Sequence, residues 1–335
     1  MTATAVRTAA PVSRSRSRDY VGLVAAAAVV LGLAIASMFV GVSDVSLPAL
    51  LGGDPAAVEI FWVSRVPRTL AVVLAGMAVA VAGLIMQLMA RNRFVEPSTV
   101  GTVESATLGI LVVTVAVPTA PILLRMGVAS VFAVLGTALF LAVLRRLPTR
   151  NTLLIPLVGI MLGGVIGAIT TFFAYRYDLL QTLSNWMIGD FSGVLRGRYE
   201  LLWIVAALML VGLLAADRFT VAGMGEDFTT NLGLNYNATM RLGLIIVSLI
   251  SAVVVTTVGA VPFLGLVVPN IVSLLFGDNL RRAVPWTALF GTGFVLVCDI
   301  IGRTIRYPYE VPVGMVMAVV GAILFLILIL RKRNA

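Results

Sequence analysis

The sequence predicts an all-α, polytopic membrane protein with about ten transmembrane helices. Three observations carry that prediction. The 335-residue chain is 60% hydrophobic and 12% charged, whereas a soluble domain is roughly 45–50% apolar and about 25% charged. Its apolar runs are roughly 17–25 residues long, the length that crosses a bilayer as a helix. The alternating pattern of a membrane β-barrel is absent.

Residues 1–19, rich in Ala, Ser, Thr and Arg, read as a disordered basic tail on the cytoplasmic side. Residues 20–333 read as a single transmembrane domain. Spans are expected at 20–41, 66–90, 97–117, 119–144, 152–175, 200–216, 241–261, 262–277, 284–302 and 309–330. The first exceeds the apolar core of a signal peptide, about 7–15 residues, and so reads as an uncleaved span. The third contains Glu104. The fifth opens at Thr152 and carries Gly159, Gly163 and Gly167, a small-residue stripe suited to close packing or to a pathway. Between the sixth and seventh, residues 217–241 contain GMGEDFTTNLGLNY. This segment exceeds a tight turn and falls short of a domain; it reads as one or two short helices forming a docking surface at the membrane face. The eighth span, PFLGLVVPNIVSLLFG, is interrupted by Pro262 and Pro269. Proline removes a backbone donor, and in a membrane the freed carbonyls must be satisfied by neighbours or along a wet path.

With the N-terminus inside, sixteen of the 24 basic residues fall on inner segments and eight on outer ones. This bias places both termini in the cytoplasm. The net charge of +9 follows from the same bias, so nucleic acid is not expected as a partner. The chain has no histidine and one cysteine, Cys298. Zinc, haem and iron–sulfur ligation are excluded, as are Ser-His and Cys-His catalysis. Lys332 lies in Arg-Lys-Arg near the C-terminus, so no phosphate-binding Gly-Lys-Ser/Thr loop exists. No catalytic or metal-binding residues are assigned, no bound cofactor is expected, and any ATP must be used by another subunit.

Four stretches in register complete the reading: RVPRTLAVVLAGMAVAVAGLIMQLMARNRFVEPSTVG (65–101), GMGEDFTTNLGL (223–234), GAVPFLGLVVPNIVSLLFGDNLRR (259–282) and DIIGRTIRYPYEVPVGMVMAVVGAILFLILILRKR (299–333). Together they resemble the permease subunits of binding-protein-dependent ABC importers for iron–siderophore, haem and cobalamin. The resemblance runs from about Tyr20 to the C-terminus. It implies ten helices arranged as inverted repeats and a permease dimer in the bacterial cell membrane. The second permease would be an identical copy or, as favoured here, a related chain. Two ATPase subunits would lie below and an extracytoplasmic siderophore-binding protein above. Many members carry Pro-His-Ile-x-Arg where this chain has Pro269-Asn270-Ile271-Val272-Ser273. That variant is similar to a branch associated with catecholate and mixed-ligand iron siderophores, so ferric siderophore is favoured as cargo over haem or cobalamin.

The resemblance also implies site residues. Arg65, Arg68 and Arg303, with Arg306 as an addition, would dock the binding protein. Gly225, Glu226, Leu232 and Gly233 would couple to the ATPase. Asn92, Phe94 and Thr152 would form the cytoplasmic gate; Phe94 stands where leucine is usual and Arg93 where proline is usual. Gly159, Gly163, Gly167, Pro262, Pro269 and Asn270 would serve packing or the path. The competing class is a proton-coupled secondary transporter using Glu104 and Asp299. Against it, Asp299 lies one turn from Arg303 and is expected to pair with it.

Overall fold

The computed structural model describes residues 16–41, 46–146, 154–277 and 279–332. The tail at 1–15 and the gate candidate Thr152 lie outside the described residues. Among the described residues the only β feature is an isolated bridge between Arg306 and Tyr309; all regular elements are helical.

The chain begins with α1 (Arg16–Phe39), then short α2 (Leu47–Leu51) and α3 (Pro55–Ile60). A π-helical turn at Phe61–Arg65 joins α3 to α4 (Val66–Met89). Next come α5 (Thr102–Ala116), α6 (Ile122–Leu144), α7 (Leu154–Arg176) and α8 (Leu180–Met187). A 3-10 turn at Tyr199–Leu202 leads into α9 (Trp203–Leu214), followed by α10 (Ala216–Gly223) and α11 (Glu226–Asn231). The last four are α12 (Tyr236–Val258), α13 (Leu264–Phe276), α14 (Leu280–Thr304) and α15 (Val313–Lys332).

A helix lies at each of the ten expected spans, but not all have spanning length. Seven helical stretches among the described residues are long and apolar enough to cross a membrane, and α9 with α10, bent by 61°, makes up to eight. The third and eighth expected spans correspond to α5 and α13, of 15 and 13 residues. At 1.5 Å per residue these reach only about 20 Å, short of the roughly 30 Å hydrocarbon core. The polar connection is also shorter than expected, because α12 begins at Tyr236. There Asn235 caps the helix by accepting the Ala238 N–H at 2.9 Å, the position where short polar side chains serve best.

Helix α4 is the axis of the packing. In its most apolar stretch 78% of residues are buried, against 11% in α1 and 22% in both α7 and α15. It packs on α14, α13, α12 and α9. The sequence allows this because α4 is rich in Ala and Gly, which let backbones approach closely. At Gly83 an added Cβ would lie 2.2 Å from the Gly265 backbone, so the α4–α13 crossing accepts no side chain. Peripheral α7 and α15 turn apolar faces outward, with Ile160, Met161, Phe172, Leu326 and Ile329 exposed.

Candidate functional site

The two described gate candidates, Asn92 and Phe94, lie on a loop held against the broken helix α13, and the geometry there follows from that break. Helix α13 starts abruptly after Pro262. Phe263 adopts a left-handed conformation at φ 62°, which is uncommon for a bulky residue. The free N–H groups at this helix start are met by a carboxylate: Glu96 Oε1 accepts the Phe263 N–H at 3.1 Å. Glu96 is 2% exposed. It also accepts the Ser98 hydroxyl at 2.6 Å, and its own N–H donates to Thr99 Oγ1 at 3.0 Å. Burial pushes the Glu96 carboxyl up to about 7, against the pull of its hydrogen bonds. Burial dominates because an apolar surrounding disfavours the charged form.

One turn further on, Pro269 has no N–H for the Gly265 carbonyl four residues earlier. Gln87 of α4 supplies the donor, with Nε2 3.1 Å from that oxygen. Asn270 donates both to Leu266 O at 2.7 Å and to Arg93 O at 2.8 Å. Asn92 Oδ1 accepts the Phe94 N–H at 2.8 Å. Phe94 meets Phe325 of α15 edge-on, with ring centroids 6.0 Å apart. Asn270 and Phe263, the residue after Pro262, thus tie the 90–101 loop, which carries Asn92 and Phe94, to α13. Gly159 and Gly163 of α7 brace the same loop. An added Cβ at Gly159 would lie 2.3 Å from Thr99 O, and one at Gly163 3.4 Å from Gly101 Cα. Gly167 departs from the expected stripe, for its Cβ position has nothing within 4 Å. Glu104 faces Gly163, and its Oε2 is buried with no hydrogen-bond partner among the described residues.

At the same end of the bundle as Arg91, α10 and α11 form a short helical hairpin. Gly225 sits at φ 125°, a conformation that favours glycine, and the Arg91 guanidinium lies 3.3 Å from where a Cβ would be. Glu226 and Asp227 occupy the first turn of α11, where the helix dipole favours negative charge. Thr229 is buried and ties α11 to α10 through Val221 O at 3.1 Å. The outer side is apolar: Met224, Phe228 and Leu232 are exposed, and Gly233 turns the chain at φ 77°.

At the opposite end, Arg65, Arg68 and Arg303 are buried rather than displayed, at 7%, 7% and 2% exposure. Arg68 Nε and Nη2 both donate to Asp299 Oδ1, at 3.1 and 2.9 Å, and its Nη1 donates to Glu310 Oε2 at 2.6 Å. Arg303 pairs with Asp299 Oδ2, as the one-turn spacing predicts. Its Nη1 donates to Ser37 O and Val40 O at 2.9 and 2.7 Å, satisfying the C-terminal carbonyls of α1. Arg65 Nη1 donates to the same Val40 oxygen. Charges in a low-dielectric interior need this degree of pairing. Of the four expected docking arginines only Arg306 is exposed; its guanidinium lies 5.8 Å from the Tyr309 ring centroid.

Sequence reasoning missed Glu96, Gln87, Ser37 and Glu310. Gln87 carried a signal, as a polar side chain within an otherwise apolar span. Glu96 sits in a polar stretch and gave none. Among the described residues no three His, Cys, Asp or Glu side chains come together as metal ligands.

The pattern of the FecCD transport family matches residues 24–331. The chain is 47% identical over 301 residues to the petrobactin import system permease protein YclN of Bacillus subtilis (strain 168), covering 90% of this chain and 95% of that one. It is 41% identical over 307 residues to the ferric-anguibactin transport system permease protein FatD of Vibrio anguillarum, covering 90% and 96%. A vitamin B12 import system permease protein, BtuC of Serratia proteamaculans, is 34% identical over 316 residues, covering 91% and 92%. Among solved structures, a metal-chelate-type ABC transporter in an inward-facing conformation shares the fold, with a TM-score of 0.80 and 21% identity over 93% of this chain and 99% of that one.

Proposed function

The chain belongs to the FecCD transport family, and from that premise we propose that it is the membrane permease subunit of an ABC importer that carries a ferric siderophore into the cell. The observation that carries this reading is the 47% and 41% identity, over at least 90% of each chain, to permeases of petrobactin and ferric-anguibactin import. The vitamin B12 permease is less similar at 34%, which makes cobalamin the weaker reading.

In this account iron crosses wrapped in its chelator, so the path needs shape and a gate rather than metal ligands. The 90–101 loop is the gate. It is hinged on α13 through Glu96 and Asn270 and latched to α15 through Phe94. The exposed Met224–Phe228–Leu232 face, with Glu226 beside it, is the seat of an ATPase subunit. Two such ATPases serve a pair of permeases, this chain and a related partner. The excess of arginine on one side of the spans supports both termini being cytoplasmic. On the opposite face Arg306 is free to meet a binding-protein carboxylate. Arg65, Arg68 and Arg303 act behind it, fixing the α14–α15 loop that displays it.

The test is uptake of radiolabelled ferric siderophore into proteoliposomes holding this chain, its partner permease, the ATPase and the binding protein. ATP-dependent accumulation is expected. Accumulation that ignores ATP and follows a proton gradient would contradict the proposal and turn attention to Glu104.

A further inference from the structure

A cavity of about 570 Å³ opens between the ends of α5, α6 and α12, α8 and the 193–198 loop. Its wall holds three arginines, Arg125, Arg196 and Arg198, with Trp186, Ile110 and Ile122 as apolar surface. It lies at the Arg68 end of the bundle, because the Arg196 N–H donates to Val63 O at 3.0 Å and Val63 is in the turn leading to Arg65. The three arginines differ from the buried cluster beside them. Arg65, Arg68 and Arg303 are engaged by carboxylates and carbonyls of the chain. Arg125 reaches only the Pro118 carbonyl, at 2.8 Å, and its Nε is buried without a partner. Arg196 and Arg198 are exposed, and none of the three forms an ion pair among the described residues. The nearby Glu200 carboxylate accepts the Gly197 N–H at 2.9 Å, so positive charge remains in excess.

An arginine fork matches the geometry of carboxylates and other planar oxyanions, and its face stacks on aromatic rings. The volume falls within the range that encloses a small molecule, about 300–1,000 Å³. A ferric ion wrapped by catecholate or carboxylate oxygens carries more negative charge than the metal neutralises, and its outer surface combines oxyanions with flat rings. We propose that this cavity is the entry site for an anionic ferric chelate. Arg125, Arg196 and Arg198 receive its oxyanions, and Trp186 receives its ring or backbone face. The proposal rests on the importer reading and adds a preference for charge within the permease. Neutral chelates, such as a ferric ion held by three hydroxamates, gain nothing from the arginines.

The experiment reads binding apart from transport. The full chain, assembled with its partner permease and ATPase in zwitterionic nanodiscs, is titrated with ferric tricatecholate and with neutral ferric trihydroxamate. Tryptophan quenching is followed, and the difference from a Trp186→Phe complex isolates the cavity signal. Saturable quenching by the anionic chelate is expected. Arg196→Gln with Arg198→Gln should weaken it at least roughly tenfold, and Arg196→Lys with Arg198→Lys should recover part of it. Equal quenching by the two chelates, or quenching that survives the glutamine substitutions, overturns the proposal. So does loss of binding-protein affinity with chelate binding intact, which would make the arginines a protein-docking patch. Displacement by anionic lipid, with no discrimination between the chelates, would assign the site to headgroups. Uptake in parallel proteoliposomes separates the two readings. ATP-driven uptake without a Trp186 signal sinks the site and leaves the importer standing, whereas no ATP-driven uptake by the unaltered complex sinks the importer.

Discussion

Replacing Glu96 by glutamine should remove a defined part of the protein's pH dependence. Burial holds the native carboxyl at about 7, against an ordinary value of 4.5. Below 4.5 the group is protonated whether the chain is folded or unfolded, and above about 7 it is charged in both. Between these limits the folded protein holds a proton that the unfolded chain releases. Stability therefore rises as pH falls from about 7 to 4.5, and is flat outside that window. The interval corresponds to about 3 kcal/mol for this fully buried group. Glutamine does not titrate, yet its side-chain oxygen can still accept the Phe263 N–H. The Glu96→Gln protein should therefore match the parent near pH 4.5 and exceed it by up to about 3 kcal/mol at pH 8. Unfolding of both proteins in nanodiscs, followed from pH 4 to 8, supplies the difference curve, in which all other titrations cancel. Parallel curves across that range would mean that Glu96 does not hold its proton in the folded protein between pH 4.5 and 7.

Four further outcomes follow from the same geometry. Gln87→Leu leaves the Gly265 carbonyl beside Pro269 unpaired and should destabilise the protein by about 1–3 kcal/mol, measured by unfolding in nanodiscs. Asp299→Asn leaves Arg68 and Arg303 buried with their shared carboxylate gone, and should cost about 3–5 kcal/mol in the same assay. Gly159→Leu must push the Thr99 carbonyl aside, costing about 1–3 kcal/mol and lowering uptake; Gly167→Leu, in open space, should lower neither. Leu232→Asp should weaken capture of the ATPase subunit in a pull-down while changing stability by less than about 0.5 kcal/mol.

Periodicity and length made most of the helical framework legible in the sequence. The apolar runs and the basic residues between them located the elements, because the bilayer constrains both. The two short helices were harder. The apolar run of α13 gives no measure of where the helix starts, since its first turn is met by the distant Glu96 side chain. By resemblance Asn92 and Phe94 were assigned to a gate and Asn270 to packing or the path; the fold brings Asn270 against the Arg93 carbonyl between the first two. Their linkage through Glu96 and Gln87 was not legible, because a loop carboxylate and a single amide announce no partner across more than 160 residues of chain. The burial of three arginines was not legible for a related reason. Arg65, Arg68 and Arg303 lie at helix ends and so read as displayed. Only the fold brings Ser37, Asp299 and Glu310 around them. The i, i+4 pair Asp299–Arg303 was the part of that network written locally in the sequence.

An importer of this kind passes an intact ferric chelate inward under ATP. The most direct measurement is dual-label uptake in the reconstituted importer, with radiolabelled iron and a chelator carrying a second isotope. Iron and chelator should accumulate together, in the ratio of the complex supplied, only when ATP and the binding protein are both present. Iron accumulating without its chelator, or both accumulating without ATP, would contradict the importer reading.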